Sequence, residues 1–443
     1  MSKTLYSGVA KVVITPSVGT ELLAPKGYCS TGIHDDLFCR ALVLKDKKEE
    51  LAFVSMDLVG LDFGLLEDLR QIIQQDTGLS SRKVMLHCTH THNSPVSMCW
   101  RRENQLSRNR VWEKELGKKI SEAILKARDN LLPSKVGVGR EKAKVGVNRR
   151  LPTDKGVVMR PFPLGPVAPY VDVLRIVNQE GMSVVLFCHA AHPISAHNAT
   201  TLITADYPGY AVQRIQRSLK EDVFPIFSQG CCGNVNSNPA SKGFSESEKL
   251  GAALGKATAK ACLEIDDSCS HLPLRTFHQT INLPLLSPPS YQEAKKILIE
   301  EEKKLEEVQR KNADRMSLYW HKEEVLWARD LAKLCKQEKS QHTLPMEIQV
   351  FVMGREIALI GLSHEVFVQY QLRIQEESPF THTLVLAYTN GVAGYIPTPE
   401  DFPLGGYEVL RAAKSYGALL LNPQAGEIMF RSAMELLSRA HNS

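Results

Sequence analysis

Val84-Met85-Leu86-His87-Cys88-Thr89-His90-Thr91-His92-Asn93-Ser94-Pro95 is the stretch that decides how this chain is organised. Its first five residues form a short apolar run of strand formers, so they predict a buried strand. The Asn, Ser and Pro that follow end this strand and begin a loop. In extended backbone, residues i and i+2 point to the same side, so His90 and His92 are predicted to face one point. Such a pair suits a metal or catalytic site, and a hydrogen-bonded structural pair is the alternative.

Composition narrows the class of protein. The chain has 443 residues, 43% hydrophobic and 23% charged, which is enough apolar material for one large folded domain or two to three smaller ones. The net charge of +5 is small for this length, and no dense Lys/Arg block occurs, so nucleic-acid binding is not expected. No apolar run approaches the roughly 20 residues that span a bilayer. The first eight residues lack the apolar core of a signal peptide, so we expect a cytoplasmic protein.

The ten cysteines are scattered, and no CxxC motif occurs. This usage predicts mostly free, buried thiols in a reducing compartment. Cys231 and Cys232 are the one adjacent pair in the sequence. Tight packing near a loop is the favoured interpretation of this pair, over a redox or nucleophilic role.

Apolar runs typical of strands alternate with helical spacing along the chain. Strands are predicted at 8–16, 51–57, 84–88, 136–139, 144–147, 171–177, 182–188, 224–228, 347–353, 356–362 and 384–388. Helices are predicted at 65–75, 111–132, from 205 onward, at 243–263 and near the end of the chain. This mixture predicts an α/β protein with a mixed-sheet core and helices on the outside.

A charged segment at about 290–342 interrupts this pattern. Ser290 and Glu293 form a capping-box pair, and residues 291–340 contain neither Pro nor Gly. With 12 Lys/Arg against 11 Asp/Glu, the segment predicts one long helix or a helical hairpin with a solvated face. Packing on the body of the protein is the favoured role, and a lid over the site or an oligomer contact is the alternative.

Several polar loops follow the predicted strands. His90 and His92 occupy the first loop, His189 and His192 occupy a second, and a Gly/Asn-rich turn occupies residues 230–238. Later loops add Glu365 and Tyr395, and a catalytic zinc needs about three protein ligands. The competing candidate ligands are His87, His189, Asp206 and His364.

Ordered motifs along nearly the whole chain resemble one family. They are Gly8–Ala10 with Ile14–Pro16, Gly32–Asp35 with Arg40–Leu44, Thr89–Pro95, Asn148–Arg150, His192–Pro193 with Asp206 and Gly209–Ala211, Glu365, and Tyr395–Phe402 with Tyr407–Glu408. Together they are similar to the motifs of the neutral/alkaline ceramidases, zinc-dependent amidases that cleave the N-acyl bond of ceramide. The resemblance implies a mixed-sheet zinc hydrolase core with an inserted charged helical segment.

The resemblance also implies a set of site residues. The family's zinc ligands fall on His90, His192, Glu365 and Tyr395. Its second loop histidine falls on His92, which is the predicted proton carrier.

Further positions correspond to the family's substrate contacts. Its substrate-contacting arginine falls on Arg149, and a second tyrosine falls on Tyr407. The implied catalytic residues are therefore His92, Tyr395 and Arg149, and the implied substrate-binding residues are Arg149, Tyr407 and Asn236.

The sequence departs from the family pattern in places. Asn236 stands where the family has a Ser, an Asp of the same turn is replaced by Asn234, and Ser363-His364 replaces a Pro-Gly before Glu365. The resemblance implies one catalytic domain over 1–443, with a helical insertion at about 290–342 and without the family's C-terminal immunoglobulin-like domain.

These observations predict a zinc-dependent hydrolase that cleaves an N-acyl amide by a zinc-activated water. The expected substrate is a small or lipid-like N-acyl amine, smaller or more polar than ceramide. A zinc esterase or lactonase is one alternative, and a non-catalytic binding or assembly protein is another. A homo-oligomer formed through the 290–342 helices is a further expectation.

Overall fold

The structure is a computed structural model that describes residues 4–24, 27–98, 109–219, 222–266, 269–270, 272–337 and 343–443. The first three residues, Cys99 and the last part of the charged segment (338–342) lie outside the described residues. Predictions that concern them stay predictions.

The described part of the chain alternates between strands and helices, as the sequence predicted. Its strands are β1 (Leu5–Val13), β2 (Gly32–Ile33), β3 (Phe38–Lys45), β4 (Glu50–Met56), β5 (Val84–Cys88), β6 (Leu132–Lys142), β7 (Gly146–Thr153), β8 (Gly156–Phe162), β9 (Tyr170–Asn178), β10 (Ser183–His189), β11 (Leu202–Ile203), β12 (Val223–Gln229), β13 (Val235–Ser237), β14 (Leu274–Pro284), β15 (Thr343–Met353), β16 (Ile357–Leu362), β17 (Glu365–Val366), β18 (His382–Leu386) and β19 (Tyr395–Ile396). Its α-helices are α1 (Phe63–Thr77), α2 (Arg110–Asp129), α3 (Asp206–Ser218), α4 (Phe244–Glu264), α5 (Tyr291–Arg310), α6 (Arg315–Lys336), α7 (Val368–Glu377), α8 (Ala412–Tyr416) and α9 (Ala425–Asn442).

Local sequence explains where helices begin and end. The Asp62 side chain accepts a hydrogen bond from Leu65 N (2.9 Å), which caps α1 at its first turn. The helix ends at Gly78, whose φ of 75° is a conformation that favours glycine. β14 was not predicted, because most of its side chains are only partly buried and its apolar alternation is therefore faint.

The largest sheet has eight strands in the order β12-β10-β9-β6-β1-β3-β4-β5. β10 pairs in parallel with β12, and β4 pairs in parallel with β5. The five pairings between these two parallel pairs are antiparallel. The sheet is therefore mixed, as predicted.

The two edge strands of this sheet approach one another. Gln229 N, at the end of β12, donates to His87 Nε2 on β5 (2.8 Å). Ser55 Oγ on β4 donates to Phe227 O on β12 (2.7 Å). The sheet therefore curls, and the loops that follow β5, β10 and β12 meet at one end of the molecule.

A second sheet, β14-β15-β16-β18, packs against the first. A buried apolar cluster joins the two, with Phe53 and Leu186 from the large sheet and Phe351, Leu359 and Leu386 from the small one. Helices α2 and α4 contact the large sheet, and α9 contacts β14 and β15. Helices therefore lie outside two stacked sheets, and the site-forming loops project from the sheet ends.

The charged segment forms a helical hairpin of α5 and α6. Ser290 and Glu293 form the predicted capping box, and Asp314 caps α6 through Met316 N and Ser317 N. Apolar residues of α6, Trp327 among them, pack against α5 and against Leu419. The hairpin is therefore attached to the body by a small core of its own. Within the described residues, no helix is long and apolar enough to cross a membrane.

Candidate functional site

A cavity of about 1210 Å³ lies where the strand-end loops meet. The predicted site residues that line it are His90, His92, Arg149, Asn236, Glu365, Tyr395 and Tyr407. His192, the eighth predicted residue, is fully buried beside them. The structure therefore brings together residues that lie more than 300 positions apart in the sequence.

His90 and His92 converge as predicted, although the geometry differs from the prediction. The Nε2 atoms of the two rings lie 3.2 Å apart. His90 is not extended, because its φ is 67°, a conformation that is uncommon for a residue with a side chain. A bond from its backbone N to Leu58 O (2.9 Å) and one from its Nδ1 to Val59 O (2.5 Å) hold this turn. This left-handed backbone conformation, rather than strand alternation, therefore directs the His90 ring into the site.

Glu365 completes a cluster with His90 and His192. Its Oε2 atom lies 3.4 Å from His90 Nε2 and 3.3 Å from His192 Nε2. Its Oε1 atom accepts a hydrogen bond from the Tyr416 hydroxyl (2.6 Å), and Tyr388 donates to Oε2 (3.4 Å). Both carboxylate oxygens are therefore held in place.

The tautomers of the two histidines suit metal binding. The Nδ1 atoms of His90 and His192 lie against the carbonyl oxygens of Val59 and Val235. A carbonyl only accepts hydrogen bonds, so Nδ1 carries the proton and Nε2 presents its lone pair to the site. Backbone carbonyls commonly orient metal-binding histidines in this way.

The spacing of the donor atoms also suits a metal. Tetrahedral zinc with bonds of about 2.0–2.1 Å sets its ligand atoms about 3.3–3.4 Å apart. The distances from Glu365 Oε2 to His90 and His192 fall in this range. Among the described residues, His90, His92 and His192 also form a group whose ligand atoms all lie within 4.8 Å of one another. This cluster could therefore hold a metal ion, with either Glu365 or His92 beside the other two histidines.

Electrostatics favour the ligand forms of these groups. Burial first, and then the positive charge of the nearby Arg149, lower the pKa of His192 to about 3. Burial alone would raise the pKa of Glu365, but the neighbouring His192 and His90 side chains outweigh burial and lower this pKa below its usual range. A neutral imidazole and an ionised carboxylate are the states that bind a metal.

Arg149 links the cluster to the rest of the cavity. Its Nη2 donates to Gly233 O (2.7 Å) and to the Tyr395 hydroxyl (3.2 Å), and its Nη1 donates to Asn236 Oδ1 (2.9 Å). Tyr395 lies on β19, opposite Glu365 of β17 in the strand pairing. Burial, and then the Glu365 carboxylate, raise the pKa of Tyr395 well above its usual range. Its hydroxyl therefore keeps its proton.

Comparison with known proteins identifies the family. A family model described as "Neutral/alkaline non-lysosomal ceramidase, N-terminal" matches residues 23–314. The chain belongs to this family. Neutral ceramidases of Drosophila melanogaster and Drosophila pseudoobscura pseudoobscura are 25% and 27% identical in alignments 246 residues long that cover 51% of this chain. The aligned region spans 34% of each of these relatives.

Solved ceramidase structures share the fold. The structure of neutral ceramidase from Pseudomonas aeruginosa matches with a TM-score of 0.73 at 18% identity, covering 100% of this chain and 75% of that one. A structure described as ceramidase complexed with C2 matches with a TM-score of 0.71 at 17% identity, covering 99% of this chain and 75% of that one. The large mixed sheet is therefore like that of the bacterial neutral ceramidase.

The competing candidate ligands have structural roles in this ceramidase-family chain. His87 bonds through both ring nitrogens, to Thr389 Oγ1 and Gln229 N. His364 likewise bonds to Pro345 O and Ala393 N. Asp206 accepts from the backbone N of Ala196 and of Tyr207, and His189 Nδ1 lies 3.0 Å from Tyr170 O.

The cysteine pair is buried as the packing interpretation predicted. Burial raises the pKa of both the Cys231 and Cys232 thiols. Cys232 Sγ lies 3.1 Å from the Tyr388 hydroxyl, behind Glu365. A thiol that stays protonated is a poor nucleophile, so the pair supports the wall of the site.

Sequence reasoning missed several residues of the site. Glu408 follows Tyr407 within a motif that resembles the family's, and this position was a signal that could have identified it. Its carboxylate accepts a hydrogen bond from Arg149 Nε (2.7 Å). His197 lines the cavity with its ring centroid 5.0 Å from that of His92. Tyr388 and Tyr416 carry no local signal, because only the folded chain brings them to Glu365.

Tyr416→Phe is expected to weaken zinc affinity by about 10- to 100-fold, the usual effect of removing a hydrogen bond to a metal ligand. The substitution removes only the hydroxyl that donates to Glu365 Oε1. Competition with a calibrated zinc chelator measures the change. Tyr370→Phe is the matched control, since its hydroxyl bonds Pro397 O away from the cluster. An unchanged zinc affinity in Tyr416→Phe would show that the Tyr416 hydroxyl does not support metal binding through Glu365.

Proposed function

We propose that the protein is a zinc-dependent hydrolase that cleaves the amide bond of an N-acyl compound. The carrying observation is a cluster beside the large cavity in which Glu365 Oε2 lies 3.4 Å from His90 Nε2 and 3.3 Å from His192 Nε2. Membership of the ceramidase family supports the amide as the bond that is cleaved. The proposed zinc ligands are these three residues and Tyr395.

Zinc in such a site acts as a Lewis acid that activates water and polarises a carbonyl group. His92 is the proposed proton carrier, because its Nε2 lies 3.2 Å from His90 Nε2. A neutral imidazole there takes a proton from the attacking water and gives it to the leaving nitrogen. The amine then leaves as a neutral group, and the acyl group leaves as a carboxylic acid, which loses its remaining proton to solvent and becomes a carboxylate.

Two donors are proposed for the carbonyl oxygen as it gains charge. One is the Tyr395 hydroxyl, which keeps its proton and is oriented by Arg149 Nη2 at 3.2 Å. The other is the Arg149 guanidinium, which Asn236 and Gly233 hold in place. A preorganised donor of this kind contributes roughly 2.7–4 kcal/mol to lowering the barrier.

The cavity suits an N-acyl compound with an apolar chain. Leu23, Val158, Met159 and Ile194 line it, and its volume of about 1210 Å³ exceeds that of most small-molecule pockets. A lipid-like N-acyl amine is therefore the proposed substrate, and Tyr407 is proposed to contact it. The cytoplasmic location, the single catalytic domain and the homo-oligomer through 290–342 stay predictions.

Metal analysis combined with matched substrates tests this function. The purified protein is expected to bind one zinc per chain and to hydrolyse N-dodecanoyl-p-nitroaniline, while a chelator abolishes the activity and added zinc restores it. The ester p-nitrophenyl dodecanoate is the comparison substrate. Cleavage of the ester alone would assign an esterase instead. No cleavage of either substrate by zinc-loaded protein would favour a binding protein.

A further inference from the structure

The helical hairpin forms one wall of the cavity through α6. Arg315, Met316, Trp320 and Glu324 all line the cavity. Met316, Trp320 and Glu324 are spaced four residues apart, so they lie on one face of the helix. The charged segment, for which packing on the body was the favoured prediction and a lid over the site or an oligomer contact the alternative, therefore contributes directly to the cavity wall.

A π-helical turn at Tyr407–Arg411 and helix α8 supply residues next to this wall. The ring centroids of Tyr395 and Tyr407 lie 6.1 Å apart, and those of Tyr407 and Trp320 lie 6.0 Å apart. The guanidinium of Arg411 lies 5.1 Å from the Trp320 centroid. An aromatic surface thus extends from the cluster to a cation at the outer end.

Charge in the outer part of the cavity is unbalanced. Its charged lining residues are Arg315, Arg411, Lys414 and Glu324. Lys414 Nζ pairs with Glu324 Oε2 at 2.7 Å, and these two charges offset one another. Arg315 stacks on Tyr28 at 4.4 Å and donates to Gly27 O, and Arg411 stacks on Trp320. Within the described residues, neither arginine forms an ion pair with a carboxylate.

We infer that the outer cavity recognises an anionic group on the substrate. This inference rests on the proposed amide hydrolysis. The aromatic contacts hold the two guanidinium groups beside Tyr28 and Trp320, and the N–H groups other than the Arg315 Nη2 that bonds Gly27 O can donate to a carboxylate, sulfonate or phosphate. The aromatic surface between cluster and cation fits an apolar spacer. The substrate class is therefore an N-acyl compound whose anionic group is separated from the amide by an apolar chain.

Matched substrate pairs test this inference. The N-methylamide of dodecanedioic acid carries the anion on the acyl side, and 12-hydroxydodecanoic N-methylamide is its neutral counterpart. N-dodecanoyl-6-aminohexanoate carries the anion on the amine side, and N-dodecanoyl-6-aminohexanol is its neutral counterpart. In at least one pair, the zinc-loaded protein is expected to show a kcat/KM about fivefold or more in favour of the anion.

The variants Arg411→Gln and Arg315→Gln are expected to reduce this preference toward one, and added salt should reduce it as well because the two cations are exposed. Arg329→Gln is the matched control. It removes a cation from the same helix, but one that pairs with Glu302 and does not line the cavity. The control is expected to keep the wild-type preference.

Calorimetric titration of the zinc-free protein with the same pairs gives a second readout that does not need hydrolysis. Tighter binding of the anionic member, lost in Arg411→Gln, would support the inference even if no amide were cleaved. Equal affinity and equal kcat/KM within both pairs would overturn it and leave the amidase proposal standing. A preference that survives in both arginine variants would also overturn it. Failure of the zinc-loaded protein to cleave any amide would instead overturn the proposed function.

Discussion

His90→Ala is expected to lose bound zinc and hydrolytic activity together, whereas His92→Ala is expected to keep most of its zinc and lose activity. His90 Nε2 lies 3.4 Å from Glu365 Oε2, and its Nδ1 is fixed by Val59 O, so its removal deletes an oriented ligand. His92 is the proposed proton carrier, and removing such a group costs about 10²- to 10⁴-fold in rate.

The opposing possibility comes from the same geometry. His92 Nε2 lies as close to His90 Nε2 as a second ligand would, and the ligand atoms of His90, His92 and His192 lie within 4.8 Å of one another. If His92 is a ligand and Glu365 only orients the histidines, both alanine variants will lose zinc equally. In that case Glu365→Gln will retain most of the metal.

Zinc content by mass spectrometry and kcat on one amide substrate separate these outcomes. His197→Ala is the matched control, because this third cavity-lining histidine lies outside the metal group while its ring is 5.0 Å from that of His92. It is expected to retain zinc. A control that lost zinc as completely as His90→Ala would show that general disturbance of the cavity, and not ligand loss, explains the result.

Much of the fold follows from local sequence signals. The apolar run before His90 forms β5, the run after Gly181 forms the second strand of a hairpin, and Ser290 with Glu293 begins α5 as predicted. Each signal depends on residues within one element, so the sequence carries it without knowledge of the tertiary structure. The same holds for the polar loops that follow β5 and β10.

The positions of the strands in the sequence do not predict that those loops meet. Five antiparallel pairings separate the parallel pair β12-β10 from the pair β4-β5, so counting alone sets β5 opposite in direction to β12. At the usual twist of about 20–25° per strand, seven pairings rotate the last strand by roughly 150° relative to the first, which offsets that opposite direction. The contact between Gln229 and His87 shows the ends of the two strands side by side. The ordered motifs implied the site residues, and the curl of the sheet brings the loops that carry them together.

The support of Arg149 was equally hidden. Arg149 and Arg150 are adjacent on β7, so regular alternation would send them to opposite faces. The pairing of β7 with β8 is irregular between Asn148 and Arg150, which is typical of a β-bulge. Both guanidinium groups therefore reach Glu408, Arg149 Nε to Oε1 at 2.7 Å and Arg150 Nη1 to Oε2 at 2.6 Å. No local pattern predicts that a bulge will turn two neighbours onto one carboxylate.

Glu408→Gln is expected to lower the free energy of unfolding by about 3–5 kcal/mol, because it leaves two buried guanidinium groups short of a counter-charge. The side chains of Arg149, Arg150 and Glu408 are only 5%, 4% and 1% exposed, so water cannot replace the lost carboxylate. Asp401, which pairs with Arg150 Nε at 2.8 Å, would remain as the one carboxylate bonded to the pair among the described residues.

Urea denaturation at equilibrium measures this loss as a lower midpoint with an unchanged dependence on denaturant. Glu427→Gln is the matched control, since it breaks an ion pair with Arg373 whose side chains are 25% and 38% exposed. Solvent screens that pair, so the control is expected to lose less than about 1 kcal/mol. Similar small losses in the two variants would mean that hydrogen bonds, and not the charge of Glu408, hold the arginine pair. Because Arg149 also bonds the Tyr395 hydroxyl, a large loss in Glu408→Gln would show that this buried triad stabilises the wall of the candidate site.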